Sequence, residues 1–257
     1  MNPQSYIGVS GFMSRAEVDL ALAAFPPADR LLMVGVLASS KTLAGTQNNY
    51  PRRYPMRDDI AGIFSDDPRC LNLVHYATGG ESDPEELADA LYEAIRYGGP
   101  HCHGLQVNAA WPPVGALREI REHLPDRRIV LQLGPGVLAA GPTVDFVRRL
   151  DTYDGAVTDV LIDASGGRGL PIDLHTATRW LCEVGERIDA GRGIAGGLCA
   201  EAVPTIADLL YFEEYGVSID AEGRLRDDAD GGGNLDLDKV RRYLAAAGGA
   251  IGGGSQR

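Results

Sequence analysis

The sequence predicts a single (β/α)8 (TIM) barrel, and three observations predict it. Eight short β-rich apolar runs follow one another along 257 residues, with helical or helix-length polar stretches between them. The runs are apolar on both faces, as in strands of a parallel sheet covered by helices. Residues able to do chemistry fall at or just beyond the ends of these runs, which in such a barrel is the C-terminal, functional face.

The strand-like runs are Ser5–Val9, Leu31–Leu37, Leu71–His75, Gly104–Val107, Ile129–Leu133, Val160–Ile162, Gly193–Ala195 and Val217–Ile219. Ser14 with Glu17, and Ser82 with Glu85, stand at the spacing of capping boxes, and Pro84 suits the first turn of the helix it opens. Further helical patterns cover Val114–His123, Thr143–Leu150, Leu174–Ile188, Ala200–Glu214 and Leu237–Ala246, with the weakest at Asp58–Phe64. A doubly wound open sheet is the main competing arrangement. No G-x-G-x-x-G follows the first strand, which counts against it. Two long polar segments exceed a minimal barrel, Ser39–Asp58 after strand 2 and the acidic, glycine-rich Arg226–Asn234 after strand 8. The barrel is expected over 1–247, and the glycine-rich 248–257 as a flexible tail.

Composition narrows the function. A formal net charge of -12 argues against a nucleic-acid or anionic-membrane binder, while leaving a small anionic substrate open, since a nest of backbone N–H groups can outweigh the global field. No stretch approaches the roughly 20 apolar residues of a membrane span, and the opening MNPQSYIGVSGF has neither a basic region nor a separate apolar run. Four scattered cysteines without a C-x-x-C read as reduced thiols. The expectation is a cytoplasmic protein with a small-molecule substrate and no cofactor.

Strand ends nominate Ser10, Ser39 to Lys41, His75, Asn108, Gln132, Asp163, Gly196-Gly197 and Asp220. Asp163 stands out, because a carboxyl after the apolar Val-Leu-Ile and before a glycine-rich loop is partly desolvated and suited to acid or base work. His75 is a candidate base. Gly166-Gly167-Arg168-Gly169 and Gly196-Gly197 let backbone N–H groups approach a phosphate. Lys41, one of two lysines, could form a Schiff base if desolvated, though a solvated loop residue is the simpler reading. His101-Cys102-His103 precedes strand 4 on the opposite, stability face, and the Asp227–Asp230 run lacks the register of a calcium loop, so no metal is expected. Trp111, just past strand 4, is placed to flank an aromatic substrate, whereas Trp180 reads as packing.

Ser10-Gly11, Ser14-Arg15, Pro51-Arg52-Arg53-Tyr54, the segment LIDASGGRGLPIDL, AGGL at Ala195–Leu198, and Gly216–Gly223 followed by Asp238-Lys239-Val240 together resemble phosphoribosylanthranilate isomerase. The likeness runs thinly over most of the chain and is strongest from Asp159 to Leu198. It implies a (β/α)8 barrel of tryptophan biosynthesis, monomeric or homodimeric, that performs an Amadori rearrangement of an N-phosphoribosyl aromatic amine. It implies Asp163 as general acid, Arg53 as substrate contact, and Gly196 and Gly197 around the phosphate; beside these, Asn108, Gln132 and Arg168 are expected to contact the substrate, and Gly167 and Gly223 the phosphate. The chain departs from the family on the chemistry. Ser10 stands where the family's basic cysteine stands, and a hydroxyl does not ionise near neutral pH. Asp220-Ala221-Glu222-Gly223 replaces a small-residue turn, placing two carboxyls where a phosphate would sit. GGRG replaces GGTG, so Arg168 could compensate with a cation, and Gln106-Val107-Asn108 replaces a Gln-Leu-His pattern. Three functions compete: an isomerase of a phosphorylated sugar derivative, a non-catalytic or repurposed binding barrel, and a lyase or aldolase using Lys41.

Overall fold

The computed structural model describes residues 3–26, 29–139, 141–165, 173–211, 216–228 and 232–252. Its strands are β1 Tyr6–Ser10, β2 Leu31–Ser39, β3 Cys70–Ala77, β4 Gly104–Asn108, β5 Arg128–Leu133, β6 Asp159–Asp163, β7 Gly191–Ala195 and β8 Ser218–Ala221. Each pairs in parallel with the next, and β8 pairs with β1, so the sheet closes on itself in sequence order. All eight expected runs are strands, and the fold is a single (β/α)8 barrel.

The helices are α1 Arg15–Ala24, α2 Ser40–Leu43, α3 Ile60–Ile63, α4 Pro84–Gly98, α5 Val114–His123, α6 Pro135–Leu138, α7 Val144–Asp151, α8 Leu174–Gly185 and α9 Leu237–Gly252. At α1 the capping box is present in full: Glu17 N–H donates to the Ser14 side chain, and Glu17 accepts from the Ser14 backbone. At α4 the expected Ser82 cap is displaced by one residue. Asp83 accepts from the N–H groups of Glu85 and Glu86, and Pro84 occupies the first turn. An aspartate there is also favoured by the helix dipole. Asp83→Ala is therefore expected to cost about 1 kcal/mol in urea denaturation and Ser82→Ala almost nothing. Equal losses would return the cap to Ser82.

Two further expectations change. The stretch expected as an α-helix from Ala200 forms a 3-10 helix at Val203–Tyr211. Pro204 has no N–H to give an α-helical ladder. The last helix runs on to Gly252 instead of ending near 246, because the alanines before its glycines carry enough helix propensity to continue it.

Side chains alternate between two cores. Outward residues pack against the helices in one large cluster. Inward residues Tyr6, Met33, Leu71, Leu73, Val130, Leu161 and Ala195 fill the barrel. Below them, at the N-terminal end, Arg128 grips Asp159 through Nε and Nη2 at 2.7 and 2.6 Å and lies 5.2 Å from the Tyr6 ring centroid. Nearby the His101–His103 segment is structural: Asn72 N–H donates to His103 Nδ1, and Asn72 Nδ2 donates to the His101 carbonyl. Among the described residues no group of three or more His, Cys, Asp or Glu is arranged to hold a metal, and no helix is long and apolar enough to cross a membrane.

Candidate active site

Above the inner core the inward positions become polar. Continuing each strand's period of two puts Ser10, His75, Gln106, Gln132, Asp163 and Asp220 in the top layer. All six are buried. Gly35 of β2 stands beside Ser10, and a Cβ there would come within 2.4 Å of Ser10 Oγ, so glycine makes room for the polar layer.

Over this layer opens a cleft of about 190 Å³. Its lining includes the expected residues Arg53, His75, Asn108, Gln132, Asp163, Gly196, Gly197, Asp220 and Gly223, joined by Tyr54, Ser165, Glu222 and Arg224. Ser10 lies beneath, in contact with Asp220. Gly167 and Arg168 lie outside the described residues. Lys41 is exposed and donates to Asn49 at 3.0 Å, which separates it from the cleft's chemistry. Trp111 also turns away from the role expected for it. It packs on Phe146 and Tyr153, with ring centroids 5.1 and 5.7 Å apart, at a backbone φ of +59°.

A hydrogen-bonded chain spans the cleft floor. Ser10 Oγ donates to Asp220, lying 3.1 and 3.2 Å from its two carboxyl oxygens. Gln106 Nε2 lies 3.1 Å from Asp220 Oδ2, 3.2 Å from Gln132 Oε1 and 3.4 Å from His75 Nδ1. Gln132 Nε2 donates to Asp163 Oδ2 at 2.8 Å, and Asp163 Oδ1 accepts from the Ser165 N–H and hydroxyl at 3.0 and 2.9 Å. Three acceptors thus compete for the two hydrogens on one amide nitrogen, while Gln106 Oε1 is buried with no donor among the described residues. A proton on Asp220 relieves that competition.

Electrostatics points the same way. Burial pushes the Asp220 carboxyl up to about 7, reinforced by the charges of Glu222 and Asp163 and opposed by the Gln106 and Ser10 hydrogen bonds. Burial also lowers His75 below its ordinary value, against the pull of Glu222 and Asp163. His75 is therefore neutral at pH 7, and Asp220 is the group poised to exchange a proton there.

The second carboxyl of the strand-8 loop is neutralised. Arg53 Nη2 donates to Glu222 Oε1, and Arg226 Nη2 reaches the same oxygen at 3.4 Å. The anion repulsion expected from Asp220 and Glu222 is thereby reduced: one carboxylate is paired twice, and burial biases the other towards its neutral form. The exposed guanidinium of Arg224 adds positive charge at the cleft edge, beside Gly196 and Gly197. Backbone φ of +104° and +63° at these two glycines forms the sharp turn after β7.

Asp220 and Gln106 were visible in the sequence as polar residues inside apolar runs, but their partnership depends on barrel closure. Arg226 left no local signal. It sits in the acidic run 226–230, where an arginine reads as solvated, yet it is fully buried.

No family model matches the chain, and no curated protein does. Solved structures do, over almost its full length. The tryptophan synthase alpha subunit of Legionella pneumophila matches with a TM-score of 0.57 and 11% identity, over 97% of this chain and 93% of that one. The catalytic domain of the Pyrococcus furiosus chitinase matches at 0.53 and 14%, over 98% of both. The carboxyl transferase domain from Rhizobium etli pyruvate carboxylase matches at 0.55 and 12%, over 97% of this chain and 47% of that chain. At such identities the likeness shows the barrel fold alone. The isomerase resemblance rests on its motifs.

Proposed function

We propose that the protein is an acid–base isomerase of a phosphorylated sugar derivative, acting by an Amadori-type aldose–ketose rearrangement. The observation that carries this reading is the chain Asp220–Gln106–Gln132–Asp163, which connects two carboxyls of one cleft. The rearrangement needs a proton given to the sugar ring oxygen and a proton taken from the neighbouring carbon, and the cleft holds two carboxyls between which those transfers can be divided. Asp163 is assigned the acid. Asp220 takes the role that Ser10 cannot fill, and Ser10 orients it. The glycines of the β7 loop and Gly223, with Arg224, are assigned the phosphate.

The cleft favours this over a Schiff-base lyase because neither lysine lines it: Lys41 is exposed and bonded to Asn49, and Lys239 donates to the Arg226 carbonyl. The test joins binding to turnover. Ribose 5-phosphate or a reduced phosphoribosyl arylamine, at a hundredfold excess over Kd, is expected to stabilise the native state by about 2.7 kcal/mol in thermal denaturation. Turnover of the unreduced arylamine is expected alongside. Stabilisation without turnover would support a binding barrel, and no shift with any phosphate would overturn the reading.

A further inference from the structure

We infer that Glu222 is a built-in carboxylate filling an anion site between Arg53 and Arg226, so that on this side of the cleft the substrate brings no carboxylate of its own. The inference deepens the proposed function and rests on it only for the rest of the substrate, the phosphorylated sugar. Arg53 comes from the long loop after β2 and Arg226 from the turn after β8, yet both point to one oxygen, Oε1 of Glu222. The side chains of Arg53, Glu222 and Arg226 are 17%, 13% and 0% exposed, so the cluster is largely withdrawn from water.

A buried guanidinium is costly unless an anion and further acceptors meet it. Arg226 has the acceptors: its Nη2 and Nη1 donate to the carbonyls of Gly11 and Gly233 at 3.4 and 3.2 Å. Its anion among the described residues is Glu222. The main chain is shaped around this group. Gly11 has φ of +94°, and a Cβ there would fall 1.7 Å from Arg226 Nη2. No other residue type fits while the guanidinium stays in place.

The cluster carries two cations to one anion, and the Nε atoms of both arginines are buried without acceptors among the described residues. It is thus a site with spare donors and a resident carboxylate. Arg226, with no exposed surface, offers an outside anion nothing to bind while Glu222 is in place. A ligand carboxylate must therefore displace Glu222 or sit against it, and a ligand with a neutral group there meets neither obstacle.

The experiment uses the full chain with acetate and benzoate as probes and benzamide as the neutral control, read by thermal denaturation and titration. Glu222→Ala is expected to melt below the wild type and to be restored by either carboxylate, whereas benzamide does nothing and the wild type does not respond. Glu222→Gln, which keeps the shape and removes the charge, is expected to bind benzoate at least tenfold more tightly than the wild type. Should Glu222→Ala fold only in carboxylate buffer, that too supports the inference. Wild-type stabilisation by benzoate equal to that of the variants would overturn it, as would variants indifferent to carboxylates or unable to fold even when saturated with them. None of these readouts uses turnover, so the inference can fail while the isomerase reading stands, and the reverse.

Discussion

Asparagine in place of Asp220 is expected to reduce kcat by roughly 10²–10⁴-fold while making the protein more stable above neutral pH. The kinetic half follows from the proposed function: a buried carboxyl with its pKa at about 7, lining the cleft and oriented by Ser10 and Gln106, is placed to be the proton acceptor of the proposed rearrangement. In the wild type, activity should rise as pH passes through about 7 and Asp220 ionises. The stability half follows from linkage. The folded-state pKa lies above that of an aspartate in water, so the native state binds this proton more tightly than the unfolded chain. Its contribution to stability is complete below about pH 4, the range of a solvated aspartate, and is lost as pH rises towards 7. Above that, the ionised group costs a few kcal/mol, on the order of 1.4 kcal/mol for each tenfold difference in proton affinity between the native and unfolded states. The amide has no charge to desolvate and can keep a bond to Gln106. Urea denaturation of the two proteins should therefore nearly coincide at about pH 4 and diverge at about pH 8 in favour of the variant. Asp163→Asn should lose kcat to a similar extent. If Asp220→Asn keeps kcat within tenfold of the wild type, the base lies elsewhere and His75 becomes the candidate.

Where sequence reasoning succeeded, a periodic physical cause lay behind it. Strands buried on both faces had to be short apolar runs, and residues following those runs had to face the mouth, so the barrel and seven cleft residues (His75, Asn108, Gln132, Asp163, Gly196, Gly197 and Asp220) could be read directly, while Arg53 and Gly223 came only from the family resemblance. Cap positions were legible to within one residue: Ser14 was found, while Asp83 was hidden behind Ser82 because both have side chains that cap. Partnerships were not legible. Asp220 and Glu222 looked like two like charges crowding a phosphate, since nothing in the local sequence reveals that Arg53, 169 positions away, closes on Glu222. Arg226 was harder still. A charge in an acidic run is ordinarily solvated, and only Gly11, opened to φ of +94° across the barrel seam, allows it to be buried. The same lesson applies to Lys41 and Trp111, whose strand-end positions were right in sequence and whose side chains found other partners.

Arg128→Met is expected to be the most destabilising single change on the opposite, N-terminal face, at roughly 3–5 kcal/mol. Arg128 and Asp159 are 9% and 2% exposed and share two hydrogen bonds in parallel. Asp159 also accepts from the Thr158 hydroxyl at 2.7 Å, and Arg128 Nη1 donates to the Gln4 carbonyl at 2.7 Å, tying the N-terminal segment under the barrel. Removing the cation leaves Asp159 buried with its charge uncompensated and leaves the Gln4 carbonyl without this donor. The pair as a whole is a different matter, because burying two ions costs nearly as much as their attraction returns. Arg128→Met combined with Asp159→Leu should therefore recover most of the loss, with a large coupling free energy in the double-mutant cycle measured by urea denaturation at neutral pH. Catalysis offers an independent check on where this pair acts. It lies below the apolar layer of Met33, Leu73, Val130 and Leu161, so the folded fraction of either variant should keep its kcat. A single variant within about 1 kcal/mol of the wild type would mean that water reaches Asp159 and solvates it in place of the guanidinium. A drop in kcat without a loss of stability would mean that the floor and the mouth of the barrel are coupled through that layer.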